Sequence, residues 1–493
     1  MGVTWSGEGP ALLLALDRTD GTPLGHQLQD QLRVAVRDGR LSAGERLPSS
    51  RKLSEELRVS RGMVVACYEQ LIAEGYLVGA AGSGTRVAVG VGGPARRSPR
   101  AGTTSPPPAA EHRVDVDFAY GVPDLRSMPL PDWLWALREA GRSAPTAVMG
   151  DEDDAGSLRL REVLAAYHRR VRAGTAEAEH AVVVNGFRQG LVLALGALAR
   201  SGVEQVGLED PGPRQHDELV RRAGMQPVAV PVDRAGLDVD ALRRSGARAV
   251  VVTPAHQCPT GVVMGPERRQ ALVAWATEVD GIVLEDDYDA EFRYDRQPVG
   301  SLQGLAADRV LALGSLSKTL APGIRLGWLL VPPSLVGPVV REKLLTSRGA
   351  PALDQLALAA LMESGRYDRH VLRMREVYRR RRDVLAGAVA AHAPGLRLAG
   401  LEAGCHAVLE LPPGTTEPDV ERSALRRAVR VHGLSHYRVD APRAAEVEVP
   451  AALVLGFGNV DEGRVLRGVE VLGQALSDAS ARVPSAVGPR PAR

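Results

Sequence analysis

Amine side chains are scarce in this chain: of 61 basic residues among 493, only Lys52, Lys318 and Lys343 are lysines. Chemistry that needs a primary amine therefore has three possible addresses. Cysteine is equally rare. Cys67, Cys258 and Cys405 stand far apart and odd in number, which argues against a disulfide framework or a cysteine-based zinc site and fits a reducing cytosol. Aromatic residues are limited to five Trp, nine Tyr and four Phe, so the core must be aliphatic. No run approaches the roughly 18 to 20 apolar residues needed to cross a bilayer. The apolar run 11–16 is short and follows Glu8 rather than a basic stretch, unlike a secretory signal. A large excess of one charge is also missing, the formal net charge being +2, so composition alone predicts no polyanion partner.

What is present describes a globular protein of more than one domain. Hydrophobic residues make up 44% and charged residues 24%, which excludes a wholly disordered or collagen-like chain. One composition break stands out: residues 90–111 read GVGGPARRSPRAGTTSPPPAAE. Such a stretch buries too little apolar surface to offset its ordering entropy, and Pro106–Pro108 favour extended geometry. We expect a small domain over 1–89, a linker over 90–113, a large body over 114–476 and a frayed tail over 477–493.

The small domain shows helical spacing at Leu28, Leu32 and Val36 within 27–37. Ser49 can cap a second helix over 50–57 with Leu53 and Leu57 inward, and Ser60 a third over 61–74. In that third helix the apolar positions are Val64, Val65, Tyr68, Leu71 and Ile72. Residues 76–78 and 85–89 then read as short strands around a glycine-bearing tip at 80–84. Three helices and a two-stranded wing make a winged helix-turn-helix of α+β class, whose second helix of the pair enters the DNA major groove. Residues 1–88 hold ten basic and ten acidic side chains, so placement rather than charge carries the reading. Arg51 and Arg61 open two successive helices, where guanidinium and helix N-terminus can face one phosphate or base edge. Ser49, Ser50 and Ser60 can donate to phosphates, and Ser83, Gly84 and Thr85 stand at the wing tip.

The segment from Pro23 to Ala88 resembles the GntR-type winged-helix domain over its whole length. The resemblance implies a double-stranded DNA operator as partner, Arg51 and Arg61 as DNA contacts and Gly84 as the wing glycine. Gly62 and Met63 depart from the polar pair usual after that arginine.

In the body, GLEDPG (207–212), AVVVTPAHQCPTG (249–261) and GIVLEDDYDAEFRY (281–294) each join a short apolar strand to polar or Gly/Pro residues. Strands alternating with helical patterns such as 265–278 indicate an α/β sheet with ligand groups at the carboxyl edges of its strands. The buried-strand candidate 309–313 leads into Gly314-Ser315-Leu316-Ser317-Lys318, and Arg325 follows seven residues later. A lysine on such a loop can form an imine (Schiff base) with an aldehyde cofactor. Serines and an arginine beside it can hold a phosphate. An acid such as Asp286 can keep a pyridine nitrogen protonated, and Tyr288 can donate to a ring oxygen. Asn185-Gly186-Phe187-Arg188 reads as a glycine turn opening a helix whose amides can add to a phosphate site. His256 can be a proton shuttle or a structural histidine, and Arg379–Arg382 a solvated helix face or a phosphate contact.

GSLSKTLAPGIRLGW, EDDYDAEFRY and TPAHQCPTG resemble the cofactor-binding segments of fold-type I pyridoxal-phosphate (PLP) aminotransferases, across nearly the whole of 114–476. The resemblance implies a large α/β PLP-dependent transferase fold with a smaller C-terminal α+β lobe. It implies PLP on Lys318, Asp286 on the pyridine nitrogen, Tyr288 on the ring oxygen, and Ser315, Ser317 and Arg325, with Gly186, Phe187 and Arg188, around the phosphate. A GntR-type domain tethered to this body resembles the MocR family of regulators. That likeness implies a cytoplasmic, homodimeric transcription regulator that senses PLP or an amino-acid adduct of it. Two alternatives remain open: a working aminotransferase with a DNA-binding appendage, and a regulator answering a ligand unrelated to PLP. Departures bear on the choice. Cys258 replaces the Asn usual before Pro-Thr-Gly, Asp151 stands where a Tyr is usual, and GLEDPGPRQHD lacks its usual Tyr. No arginine lies near 452–457, leaving Arg214 as the candidate for a substrate carboxylate. Cofactor capture is expected to be retained and efficient amino-acid turnover lost.

Overall fold

The computed structural model describes residues 3–4, 13–80, 84–89, 114–150, 153–213, 215–289, 291–294, 299–347, 349–400, 403–441 and 449–480. The chain divides into two compact units, Met1–Glu111 and His112–Arg493. The segment expected as a linker, 90–113, lies outside the described residues, as do 81–83 at the expected wing tip.

In the first unit the helices span Leu24–Arg37, Ser50–Leu57 and Arg61–Ala73. Ser49 and Ser60 accept hydrogen bonds from the N–H groups of Lys52 and Met63, both at 3.2 Å. Each satisfies one donor that the first helical turn leaves free. The turn between the second and third helices passes through Arg58 in the left-handed region, φ 53°. Leu28, Leu32, Val36, Leu53, Leu57, Val64, Tyr68 and Leu71 form one core with Leu77 and Val87. Of the five apolar positions on the third helix, Ile72 is exposed and Val65 half-buried. At 100° per residue they flank the stripe through Val64, Cys67, Tyr68 and Leu71 rather than lie within it. The wing pairs Leu77–Ala80 with Gly84–Val87 antiparallel.

The second unit is built on a mixed eight-stranded sheet. Its spatial order is Ala181–Val184, Gly327–Leu330, Val310–Ser315, Ile282–Asp286, Ala249–Val252, Gln205–Asp210, Gln226–Asp233 and Gly236–Leu237. Gly327–Leu330 runs antiparallel to both neighbours, whereas the pairings from Val310–Ser315 across to Gln226–Asp233 are parallel. Alternate side chains enter different cores: Ala181 and Val183 pack with Trp328 and Leu330, while Val182 and Val184 pack with Leu329, Leu311 and Leu313. Burial on both faces explains why these strands read as unbroken apolar runs. The polar residues that end them, Asp210, Asp286 and Ser315, gather along the carboxyl edge.

A smaller C-terminal lobe carries the four-stranded antiparallel sheet Leu398–Ala399, His406–Glu410, Ala452–Gly456 and His432–Gly433. Helices Arg366–His392, Glu417–Leu425 and Glu462–Ser480 accompany it. The last helix runs through 477–480, into the stretch expected to be a frayed tail, because Leu476 and Ala479 are buried and Asp478 pairs with Arg427. Residues 481–493 lie outside the described residues. Among the described residues, no helix is long and apolar enough to cross a membrane.

Candidate functional site

Arg51 and Arg61 stand exposed at the first turns of the second and third helices of the first unit. Arg61 Nε lies 3.5 Å from Ser50 Oγ, so the start of the third helix and that of the second present one polar surface. Arg51 pairs with Glu55 at 3.1 Å, both side chains being largely exposed. Such a pair is worth little and yields readily to a phosphate. Gly84, at φ +83°, and Thr85 begin the returning wing strand. Met63, the departure noted in the sequence, is half-buried against the core, so its missing hydrogen-bonding capacity is not displayed to a duplex.

In the second unit the carboxyl edge of the sheet opens into a cavity of about 450 Å3, a size suited to a small organic ligand. Lys318, Asp286, Tyr288, Ser315, Ser317, Arg325, Phe187 and Arg188 all line it. They arrive from three strand ends and one helix start. Gly186 caps the helix Phe187–Arg200 without a side chain, at φ 84° and ψ 172°, a conformation essentially reserved for glycine. The first amides of that helix therefore have no side-chain acceptor from their cap. Ser315 Oγ donates to Ser317 Oγ at 2.8 Å, and the Ser317 N–H returns to Ser315 Oγ at 3.1 Å. Lys318 Nζ donates to the carbonyl of Gly121 and lies 5.7 Å from the Tyr120 ring centre. Gly121 is also in the left-handed region, and a Cβ there would stand 2.8 Å from Lys318 Nζ.

The electrostatics centre on Asp286. Its Oδ1 is buried without a hydrogen-bond partner. Burial, reinforced by the neighbouring charge of Asp287, holds its carboxyl well above the usual range despite the opposing pull of Lys318. A protonated pyridine nitrogen would supply the missing donor, so the residues present fit PLP. Asp287 itself turns to Arg172 in a bidentate pair at 2.6 and 3.1 Å. Burial also keeps Tyr288 protonated; its hydroxyl donates to the His256 carbonyl at 2.8 Å. His256 Nδ1 lies 2.9 Å from Asp289, which ties that histidine into the wall behind Tyr288.

The sequence did not single out Tyr120, Gly121, Pro213, Gln215, His216, Leu219, His436 or Tyr437, which complete the lining. A Tyr-Gly-x-Pro-Asp turn at 120–124 was the only local signal for the first two. Arg214 lies outside the described residues, although its neighbours Pro213 and Gln215 line the cavity. Asp151 is likewise outside them. The strand Ala452–Gly456 carries no arginine, and Arg438 is committed to Asp210 at 2.9 and 3.1 Å. Cys258 is buried, and burial pushes its thiol well up.

Comparison with known proteins agrees with both halves. Residues 24–87 match bacterial regulatory proteins of the gntR family, and residues 114–449 match aminotransferase class I and II. The HTH-type pyridoxine biosynthesis transcriptional regulator PdxR of Corynebacterium glutamicum is 34% identical, over 92% of this chain and 95% of its own. The probable rhizopine catabolism regulatory protein MocR of Rhizobium meliloti is 31% identical, over 94% and 96%. Among solved structures, the α-aminoadipate aminotransferase LysN of Thermus thermophilus, complexed with N-(5'-phosphopyridoxyl)-L-leucine, superposes with TM-score 0.66. It is 25% identical, over 75% of this chain and 93% of its own.

Proposed function

Because the chain belongs to the MocR-type regulators, with a gntR-family helix-turn-helix domain joined to an aminotransferase class I and II domain, we propose that PLP held at Lys318 controls its binding to DNA. The observation that carries this reading is the buried, unpartnered Oδ1 of Asp286 in the same cavity as the Lys318 amine. When bound, PLP supplies an aldehyde that attaches covalently to an amine and a ring that withdraws electrons. Asp286 would hold the ring nitrogen. Ser315, Ser317, Arg325 and the amides at Phe187 and Arg188 would hold the phosphate. Tyr288 would bound the ring on its oxygen side.

The regulator reading is favoured over the aminotransferase because the relatives aligned over nearly the full chain are transcriptional regulators. PLP itself is favoured as effector over an amino-acid adduct. Among the described residues, the carboxylate of an amino acid finds no arginine on Ala452–Gly456, and Arg438 is already paired, which leaves Arg214, outside them, as the one candidate named for it. A ligand shifts DNA affinity only to the extent that it binds two arrangements of the protein unequally. The expected linker makes placement of the DNA-binding unit the natural variable. A homodimer would place two such units on paired half-sites.

The test is the visible spectrum and DNA affinity of the full chain with and without PLP, in the natural protein and in Lys318→Ala. The natural protein acquires the absorbance of lysine-bound PLP, borohydride fixes a pyridoxyl group on Lys318, and operator affinity changes. Lys318→Ala loses all three. Fixation on another residue, or an operator response that survives in Lys318→Ala, refutes the assignment.

A further inference from the structure

Three clustered side chains, of which His436 lines the cavity, have no part in the PLP reading. Glu421 projects from the helix Glu417–Leu425, His432 from the short strand His432–Gly433, and His436 from the 3-10 turn Leu434–Tyr437. One donor atom from each lies within 4.8 Å of the other two. The His436 Nε2 stands 3.1 Å from Glu421 Oε1 and 3.4 Å from Oε2, and the two imidazole rings are 5.0 Å apart. We propose that Glu421, His432 and His436 form a binding site for a divalent first-row transition cation of the zinc class, sharing His436 with the lining of the PLP cavity.

The donor set is the first argument. Two imidazoles and one carboxylate suit zinc, cobalt or nickel, whereas magnesium and calcium take oxygen donors. A cation held at 2.0–2.1 Å from tetrahedral ligands sets those ligands about 3.3 Å apart, and Glu421 and His436 already stand at that spacing. An ion pair with Glu421 would account for one histidine but not for two. Protonating both would place like charges side by side, the two rings being 5.0 Å apart. Neutral imidazole is the form that ligates metal.

The second argument is preorganisation. The Gly433 N–H donates to Glu421 Oε1 at 2.5 Å. One helical turn earlier, Glu417 accepts from the N–H groups of Ser435 and Ala452, both at 2.9 Å. Two carboxylates on one helix face thus clamp the backbone between the histidines and orient the ligating glutamate, as supporting hydrogen bonds do around metal sites. Pairing of His432 with Val454 fixes the other end. Three protein ligands leave a coordination position open, and His436 itself lines the cavity that holds Lys318.

The full chain, loaded with PLP and stripped of metal with a chelator, is dialysed against Zn2+ and the bound metal is counted, with Co2+ absorbance reporting nitrogen coordination. We expect one saturable site per chain. His432→Gln, His436→Gln and Glu421→Gln each weaken it by roughly tenfold or more, while far-ultraviolet circular dichroism and thermal unfolding certify the fold of each variant. A variant that fails that check is replaced by the other two, which carry the same expectation. Absence of saturable Zn2+ binding overturns the site. So does stoichiometric binding that persists in a folded His432→Gln/His436→Gln double variant, because the ion is then elsewhere.

Discussion

Replacing Asp286 by Asn should separate the cost of burying this carboxyl from its use. In the PLP-free protein Oδ1 has no partner and the group is buried, and its pKa lies well above the ordinary carboxylate value. A group whose folded pKa is raised stabilises the fold most below its unfolded pKa of about 3.9. That contribution declines as pH rises toward the folded value. Asn has nearly the same shape and does not titrate. PLP-free Asp286→Asn should therefore match the natural protein near pH 4 and exceed it at pH 8. An unmet buried polar group costs about 1–3 kcal/mol. Units of 150–250 residues shift by about 2–4 °C per kcal/mol, and this larger one by less. With PLP the order reverses. A charge-assisted hydrogen bond contributes about 1.5–3 kcal/mol, so PLP affinity should fall roughly 10- to 150-fold. The assay is thermal unfolding at pH 4, 6 and 8 with and without PLP, joined to a PLP titration by absorbance. A PLP-free variant less stable than the natural protein at pH 8, with unchanged PLP affinity, would refute the reasoning.

Two further outcomes follow from the same geometry. Glu209 is buried beneath Thr253 and Gln257, accepting from both through Oε2, and burial pushes its carboxyl up to about 7. Its contribution is full below about 4.3, the ordinary glutamate value, and is lost as pH rises through about 7. Glu209→Gln should therefore flatten the fall in thermal stability across that window, and an unchanged pH profile would count against it. Arg61→Ala should weaken operator binding and reduce the salt slope by about one, as read by fluorescence anisotropy at several salt concentrations. Equal affinity and slope would remove Arg61 from the DNA-facing surface.

Local signals were legible where local physics decides. Ser49 and Ser60 cap the helices expected of them because capping needs only a hydroxyl three residues before a free N–H. The strand Val310–Ser315 and the turn carrying Lys318 follow from an apolar run ending in small polar residues. Ile72 is as apolar as Leu71 but exposed, because one residue further round the helix it flanks the buried stripe. The cavity wall formed by Tyr120, Gly121, His436 and Tyr437 had no comparable signal, since these residues meet Lys318 from loops far away in the chain.

By itself the sequence determined the two-part organisation, the winged-helix pattern and the single lysine with serines before it and an arginine after it. Each rests on interactions within a few residues, which periodicity and caps record directly. Only the tertiary structure decided that Asp286 would lack a partner while Asp287 found Arg172, 115 residues away. It alone joined Asp210 to Arg438, 228 residues on, and brought Glu421 to two histidines. A carboxylate's charge, hydration and partners are set by whatever the fold places beside it. That neighbourhood is written nowhere along the chain.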